Sequence, residues 1–147
     1  MSQTPTIPPS VNRAMKFILA SPVHGVVSKT VLLISFTGRK SGKTYTTPVS
    51  YSQNDGQVTV FTHAGWWKNL RSGAPVTLRI RGRELQGLAE PVAEDKGAVA
   101  AGLAAHLRQV PSDARYYAVT FDEAGNPKAE EVEKAVQSVV MIRIQLC

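Results

Sequence analysis

A basic turn bounded by glycines is the part of the sequence best suited to binding an anion. It reads Gly38-Arg39-Lys40-Ser41-Gly42 and lies between two predicted strands. The glycines let the backbone turn sharply and point successive N–H groups at an anion. An arginine can grip a phosphate or carboxylate with two donors, and a lysine adds a point charge. The spacing is not that of a nucleotide-triphosphate loop, and a solvated basic turn is the alternative interpretation.

The predicted strand after this turn places small polar side chains beside a proline. Thr46, Thr47 and Ser50 flank Pro48 and Val49. Because proline cannot donate to a sheet ladder, we predict that the strand is an edge or carries a bulge at Pro48. An apolar wall with donors and acceptors at its rim suits a planar heterocycle. The alternative is an ordinary edge strand.

A third segment combines a histidine with two adjacent tryptophans. It reads Thr62-His63-Ala64-Gly65-Trp66-Trp67-Lys68-Asn69-Leu70. The tryptophans offer flat apolar area and two indole donors. Since adjacent residues of a helix point in different directions, we expect the pair to divide between core and site. His63 is a candidate ligand, proton carrier or hydrogen-bond donor.

Other kinds of chemistry have little support in the sequence. His24, His63 and His106 are scattered and no Cys-x-x-Cys is present, so we predict no metal site. No Gly-x-Ser-x-Gly elbow is present to supply a covalent nucleophile. Tyr116 and Tyr117 are candidates for lining a substrate opening, and the alternative is that they pack a helix onto the sheet.

Length and charge limit the classes of protein that the chain can belong to. The 147 residues suit one domain, and a hydrophobic share of 43% suits a real core. The net charge of +6 favours an anionic partner such as a phosphorylated cofactor. The single cysteine, Cys147, allows no internal disulfide, so we expect a cytoplasmic location. No apolar run is long enough to span a membrane, and residues 1–9 lack the features of a signal peptide.

Hydrophobic periodicity divides the chain into a disordered arm, residues 1–8, and one domain, residues 9–147. Short loops between the predicted strands imply antiparallel neighbours, and Gly87 predicts a bulge. The expected fold is mainly β with helices (α+β). It is a six-stranded antiparallel split β-barrel of the FMN-binding kind, with an N-terminal helix and a helical insertion before the last strand. The predicted strands are 30–37, 44–52, 57–62, 75–81, 83–92 and 138–146, and the predicted helical segments are 9–20, 65–72, 95–109, 112–118 and 130–137.

Taken together, these motifs resemble the deazaflavin-dependent nitroreductase family, the split-barrel oxidoreductases of actinobacteria that use coenzyme F420. The resemblance rests on four motifs between residues 32 and 70: Thr37-Gly38-Arg39-Lys40-Ser41-Gly42, Thr47-Pro48-Val49, His63-Ala64-Gly65 and Trp67-Lys68-Asn69-Leu70. The chain departs from the nitroreductase subgroup because no lysine stands in the short turn before the tryptophans. The resemblance implies an F420H2-dependent reductase that passes hydride to a quinone, an enone or a nitro compound.

The family resemblance also implies roles for particular residues. The basic turn would hold the phosphate and glutamate tail of F420, and two segments would frame the deazaflavin. The implied cofactor-binding residues are Arg39, Lys40, Ser41, Tyr45, Thr46, Thr47, Pro48, Val49, Ser50, Thr62, His63, Ala64, Gly65, Trp67, Lys68, Asn69 and Leu70; the implied substrate-binding residues are Trp66, Tyr116 and Tyr117. The candidate proton donors are His63, Tyr116 and Tyr117.

Other functions stay open at this point. The first is a related split-barrel oxidoreductase that uses FMN, and the second is a non-catalytic carrier of F420 or a fatty acid. The third is a nucleic-acid-binding barrel that uses Arg79, Arg81 and Arg83, but no RNA-binding signature accompanies them, and we predict no nucleic-acid partner. The basic amphipathic helix 9–20 suggests peripheral contact with an acidic membrane, and a split barrel often forms a homodimer.

Overall fold

The computed structural model describes residues 30–147, and these contain six antiparallel strands that form a closed barrel. The hydrogen-bonded order around the barrel is β1-β2-β3-β6-β5-β4. The predicted fold is therefore confirmed for this part of the chain. The predicted arm, residues 1–8, and the predicted helix 9–20 lie outside the described residues. The strands are β1 Val31–Thr37, β2 Thr44–Asn54, β3 Gln57–Thr62, β4 Ala74–Ile80, β5 Arg83–Val92 and β6 Val140–Leu146.

The helical insertion lies between β5 and β6, as predicted. Its longest helix, α1, covers Lys96–Gln109 and begins where the Asp95 carboxylate accepts a hydrogen bond from the Ala98 amide at 3.1 Å. A 3-10 segment then runs from Pro111 to Tyr117, and the short helix α2 covers Ala129–Ala135. Within residues 30–147, no helix has the length and apolar character needed to cross a membrane.

Apolar side chains form two buried clusters, one on each side of the sheet. The cluster inside the barrel includes Leu32, Ile34 and Ile142, all fully buried. The second cluster joins the insertion to the outer face of the barrel, where Leu103 of α1 packs with Met141 of β6. Burial of such side chains stabilises the fold by about 1.5–3 kcal/mol each, so the insertion is held firmly on this face.

The strand β2 pairs with β3 along its second half only. Thr44–Ser50 pairs with β1 in one continuous register, whereas β3 pairs with the residues from Tyr51 to Asn54. Pro48 lies in the half that does not pair with β3. Among the strands of residues 30–147, Pro48 therefore lies on an edge, as predicted, and the alternative prediction of a bulge there is wrong.

The predicted bulge at Gly87 is also wrong, because β5 keeps an unbroken register with both β4 and β6. The need for glycine at this position has a different physical cause. A Cβ at this position would lie 2.6 Å from the Ile144 Cγ2 atom and 3.1 Å from the Gln145 carbonyl oxygen. The inward-facing residues of β6 therefore approach β5 so closely that only glycine fits.

We predict that Gly87→Ala lowers the free energy of unfolding by about 1–3 kcal/mol, because the added methyl group overpacks the barrel against Ile144. Gly97→Ala is the matched control. A Cβ at Gly97, in the first turn of α1, meets only Asp95 at 3.6 Å, so alanine there should be neutral or stabilising by up to about 1 kcal/mol. Urea unfolding followed by circular dichroism measures both. Equal stabilities for Gly87→Ala and the parent would contradict the packing argument.

The three arginines considered for nucleic-acid binding do not form a row on one strand face. The strand predicted over 75–81 ends at Ile80, and Arg81 has a φ of +53° in the turn that follows. Arg79 is paired with Glu84 at 3.7 Å and also donates to the Gly82 carbonyl at 3.2 Å. The regular spacing that suggested a nucleic-acid surface is therefore interrupted by a hairpin turn.

Candidate functional site

A groove of about 690 Å³ runs beside the first half of β2. Its volume falls within the roughly 300–1,000 Å³ of small-molecule sites. The walls of the groove come from three parts of the chain: the first half of β2, the end of β3 with the residues after it, and the 3-10 segment Pro111–Tyr117. The lining residues are Thr30, Val31, Thr47, Pro48, Val49, Ser50, Phe61, Thr62, His63, Ala64, Trp66, Ser112, Asp113, Arg115, Tyr116 and Tyr117.

The register of β2 decides which backbone groups face away from β1. The Tyr51 amide donates to the Thr30 carbonyl at 2.9 Å, on the side of β1. Since hydrogen-bonding direction alternates along an antiparallel strand, the backbone groups of Pro48 and Ser50 point away from β1. Pro48 has no N–H, so it leaves no unpaired donor on this side of the strand.

The basic turn follows β1 and is closed by its own backbone. The Gly38 amide donates to the Lys43 carbonyl at 2.7 Å. The hydroxyl groups of Ser41 and Tyr45 lie 3.1 Å apart, and the Tyr45 ring covers the turn. A Cβ on Gly38 would lie 2.6 Å from the Tyr45 ring, so the close approach of this ring requires glycine. The backbone of the turn is thus fixed by its own contacts, while residues 39–43 are exposed to solvent.

A side-chain amide joins the basic turn to the segment that carries the tryptophans. The Arg39 amide donates to Asn69 Oδ1 at 3.0 Å, and Asn69 Nδ2 donates to the Trp66 carbonyl at 2.9 Å. The side chains of Arg39 and Lys40 are exposed and reach into solvent. Asn69 therefore holds the turn in a fixed position relative to Trp66, which lines the groove.

The groove brings together ten of the residues predicted to bind cofactor or substrate, but not all of them. Leu70 is fully buried in the barrel core, so its side chain cannot line the groove. Arg39, Lys40 and Ser41 lie on the neighbouring turn. The predicted residues that line the groove are Thr47, Pro48, Val49, Ser50, Thr62, His63, Ala64, Trp66, Tyr116 and Tyr117; those outside its lining are Arg39, Lys40, Ser41, Tyr45, Thr46, Gly65, Trp67, Lys68, Asn69 and Leu70.

The two tryptophans divide between two environments, as predicted. Trp66 is 3% exposed, stacks on Phe36 at a centroid distance of 5.2 Å and forms part of the groove wall. Trp67, the next residue of the 3-10 segment Gly65–Leu70, lies in a separate depression, where the Arg71 guanidinium sits 5.0 Å from its ring. Trp67 therefore lies outside the groove lining, and its contact with the cofactor stays a prediction.

Sequence reasoning missed a hydrogen-bonded chain on the opposite wall of the groove. Asp113 Oδ2 lies 2.8 Å from His106 Nε2 and also accepts a hydrogen bond from the Ser50 hydroxyl. Burial raises the pKa of Asp113, but the hydrogen bonds from His106 and Ser50 outweigh it and hold this pKa below its usual value. One signal was available in the sequence: His106 stands on the buried face of α1 beside Leu103 and Leu107, where a polar ring needs a partner.

Aromatic side chains frame the mouth of the groove. Tyr117 stacks on His63 at a centroid distance of 5.6 Å, and His63 itself is exposed. Burial, and secondarily the charge of Asp113, raise the pKa of Tyr117 well above its usual value. Tyr116 is 65% exposed, with the Arg115 guanidinium 5.1 Å from its ring. No group of three metal-ligating side chains occurs within residues 30–147.

The barrel and groove place the chain in the class of flavin-type split barrels. The chain is similar to an FAD-binding protein from Mesorhizobium loti, with 16% identity and a TM-score of 0.51. The match covers 86% of this chain and 90% of the Mesorhizobium loti chain. A protein from Clostridium acetobutylicum related to general stress protein 26, of the pyridoxinephosphate oxidase family, shares 11% identity at a TM-score of 0.53, covering 89% and 84% of the two chains. A structure described as a domain-swapped dimer shares 16% identity at a TM-score of 0.52, covering 92% and 97%. These likenesses show the fold, and no curated protein matches the chain.

The family itself follows from the sequence match over most of the chain. Residues 13–130 match the family model of the F420H(2)-dependent quinone reductases, so the chain belongs to that family. It is an F420H2-dependent reductase with a small-molecule substrate, and its cofactor is coenzyme F420. The family resemblance inferred from the glycine-bounded turn and the tryptophan segment is thereby confirmed.

Proposed function

We propose that the protein reduces quinones, with the deazaflavin of F420H2 in the groove and the cofactor's anionic tail on the basic turn. The observation that carries this assignment is the course of β2. Its first half, Thr44–Ser50, pairs with β1 but not with β3, and it runs from the basic turn at one end to the groove at the other. At about 3.4 Å per residue, Thr44 and Pro48 are roughly 14 Å apart, so one ligand can use both places only if it is elongated and anionic at one end.

The residues present fit such a cofactor. At the groove, Val49 and Pro48 supply an apolar surface, and Thr47 and Ser50 supply hydroxyl groups at its edge. At the turn, exposed Arg39 and Lys40 supply positive charge for a phosphate and carboxylates. Ser41 adds a hydroxyl, although Tyr45 and the Lys43 amide already contact it. We therefore assign the tail chiefly to Arg39 and Lys40.

The chain's own contribution to the reaction is positioning and proton supply. Bound F420H2 supplies the hydride, so the protein has to hold the acceptor near it and exclude water from the contact. The rings of Tyr116 and Tyr117 at the mouth suit a flat quinone. Because its pKa is raised, Tyr117 keeps its proton and is a poor acid. We assign proton delivery to His63, which lines the groove and is open to solvent.

The direct test is anaerobic oxidation of F420H2 by a simple naphthoquinone, followed by the absorbance of the reoxidised cofactor. We expect turnover with F420H2 and none with reduced FMN. Tight binding of FMN without binding of F420 would instead support an FMN-using enzyme. Binding of F420 without turnover of any quinone would indicate a carrier, and would overturn the proposal.

We predict that His63→Gln lowers kcat for naphthoquinone reduction by about tenfold. This is less than the usual 10²–10⁴ for a general acid, because solvent reaches the groove beside His63 and can replace it. Lys134, an exposed residue in the last turn of α2 and outside the groove lining, provides the control: Lys134→Gln should keep the parent kcat. A parent-like kcat in His63→Gln across neutral pH would remove His63 from the proton path.

We propose, in addition, that the protein forms a homodimer. The support is the similarity to a structure described as a domain-swapped dimer, together with Leu88, a large apolar side chain on β5 that is 55% exposed. Sedimentation analysis of the parent and Leu88→Lys tests it: a dimer that persists at micromolar concentration and weakens in the variant is expected. A monomer at all concentrations would overturn it.

Membrane contact through residues 9–20 remains a prediction about a part of the chain outside the described residues.

A further inference from the structure

The hydrogen-bonded chain formed by Ser50, Asp113 and His106 has no role in hydride or proton transfer as proposed above. Its direction follows from the ionised carboxylate, which can only accept hydrogen bonds. The Ser50 hydroxyl and His106 Nε2 must therefore both donate to Asp113 Oδ2. As a result, the chain fixes the orientation of the Ser50 hydroxyl and the tautomer of His106.

The same chain determines what the groove wall offers to a ligand. Both donors converge on Oδ2, and within residues 30–147 no hydrogen bond reaches Asp113 Oδ1. The Asp113 side chain lines the groove and keeps 11% of its surface exposed. Ser50 also lines the groove, and its proton is already donated. On this wall, Asp113 Oδ1 and Ser50 Oγ thus present lone pairs only.

Neighbouring charged groups leave this acceptor surface available. His106 is 1% exposed and lies behind Asp113, so its ring does not reach the groove. The positive charge of Arg115, which also lines the groove, acts on Asp113 from a distance. Its guanidinium sits over the Tyr116 ring and donates to the Tyr116 hydroxyl at 3.2 Å, and within residues 30–147 it makes no hydrogen bond to Asp113. A donor from a bound molecule is therefore the natural partner for Asp113.

From this geometry we propose that Asp113 is a specificity-determining residue: its groove-facing oxygen accepts a hydrogen bond from the hydride acceptor and so selects quinones that carry a hydroxyl or amine donor beside the ring. The inference rests on the proposed function, because it assumes that the acceptor occupies this groove. A buried carboxylate left facing an ether or alkyl group would lose water without gaining a partner.

The test compares two neutral 1,4-naphthoquinones that differ only in a hydroxymethyl or a methoxymethyl substituent. Binding is measured by isothermal titration calorimetry on protein saturated with oxidised F420, so that no turnover occurs. We expect the parent to bind the hydroxymethyl quinone about tenfold more tightly, as one hydrogen bond to a charged group would give. Equal dissociation constants for the two quinones in the parent protein would overturn the inference.

Asp113→Asn gives the sharper comparison. Its amide oxygen should take the place of Oδ2, because Ser50 and His106 both donate there, and its NH2 group would then face the groove. Either quinone oxygen substituent can accept from that group, so the preference should fall to about one. Glu130→Gln, which removes one exposed negative charge at the start of α2, should keep the tenfold preference. A tenfold preference that survives in Asp113→Asn would also overturn the inference.

The two proposals fail in different ways. If F420H2 reduces both quinones while the parent shows no binding preference, the selection by Asp113 is wrong and the reductase assignment stands. If the preference is present and disappears in Asp113→Asn but neither quinone is reduced, the proposal of quinone reduction is wrong. The selection of donor-bearing quinones by Asp113 then stands. If neither quinone binds, both proposals are wrong.

Discussion

Replacing Arg39 and Lys40 together by alanine is expected to weaken F420 binding by about 100-fold at low salt. Each side chain is assigned one charge-assisted contact to the cofactor tail, worth about 1.5–3 kcal/mol. Two such contacts would sum to about 3–6 kcal/mol, and solvent exposure lowers this sum to about 2.7 kcal/mol, which corresponds to about 100-fold. The dissociation constant is measured from the change in F420 fluorescence on titration with protein. Because the contacts are exposed, the difference between parent and variant should shrink as salt is raised.

The control for this experiment is Arg81→Ala/Arg83→Ala, which also removes two positive charges, but at the other end of the barrel. Arg81 and Arg83 border a depression with Thr30, just before β1, whereas the basic turn follows the last residue of β1. The control should bind F420 within a fewfold of the parent. A parent-like affinity in Arg39→Ala/Lys40→Ala, or an equal loss in both variants, would reject the assignment of the tail to this turn.

Trp66→Ala should lower the free energy of unfolding by about 3–5 kcal/mol, the usual effect of truncating a buried aromatic residue. Trp66 is almost fully buried and stacks on Phe36 inside the barrel, so its removal leaves a cavity beside the groove. Trp67→Ala is the matched control one residue away. Its ring is half-buried and contacts Arg71, so we expect a loss of only about 1–2 kcal/mol.

Far-UV circular dichroism in urea measures both tryptophan variants without relying on the fluorescence that the substitutions remove. The two midpoints should be clearly separated, with equal denaturant slopes. Equal losses of stability in the two variants would mean that the unequal burial of the rings does not determine their contributions. Such a result would also remove the reason for treating Trp66 as a rigid part of the groove wall.

Structural features that depend only on neighbouring residues were predictable from the sequence. The barrel followed from alternating strands with short loops, and the basic turn was visible because Gly38, Arg39 and Lys40 are adjacent. Pro48 showed by its chemistry alone that its strand cannot donate a backbone hydrogen bond at this position. The length of α1 followed from the spacing of its apolar residues and the proline after it. In each case the physical cause lies within a few residues of the feature.

Features that depend on distant parts of the chain were not predictable in the same way. Gly87 was interpreted as a bulge because its real cause, the approach of Ile144, comes from a strand that is far away in sequence. The contact between Ser50 and Asp113 joins residues 63 positions apart, and nothing local to either one indicates the other. Which of the two tryptophans would line the groove was not predictable either, because it depends on Phe36 and Arg71, which stack on Trp66 and Trp67 respectively.

The proline in the first half of β2 has a consequence for the behaviour of the protein in a crowded solution. A strand edge normally invites a strand from another polypeptide, and such pairing is a route to aggregation. An incoming strand would need an N–H donor from β2 at this position, and Pro48 has none. Pro48 therefore disfavours the recruitment of another chain beside the groove.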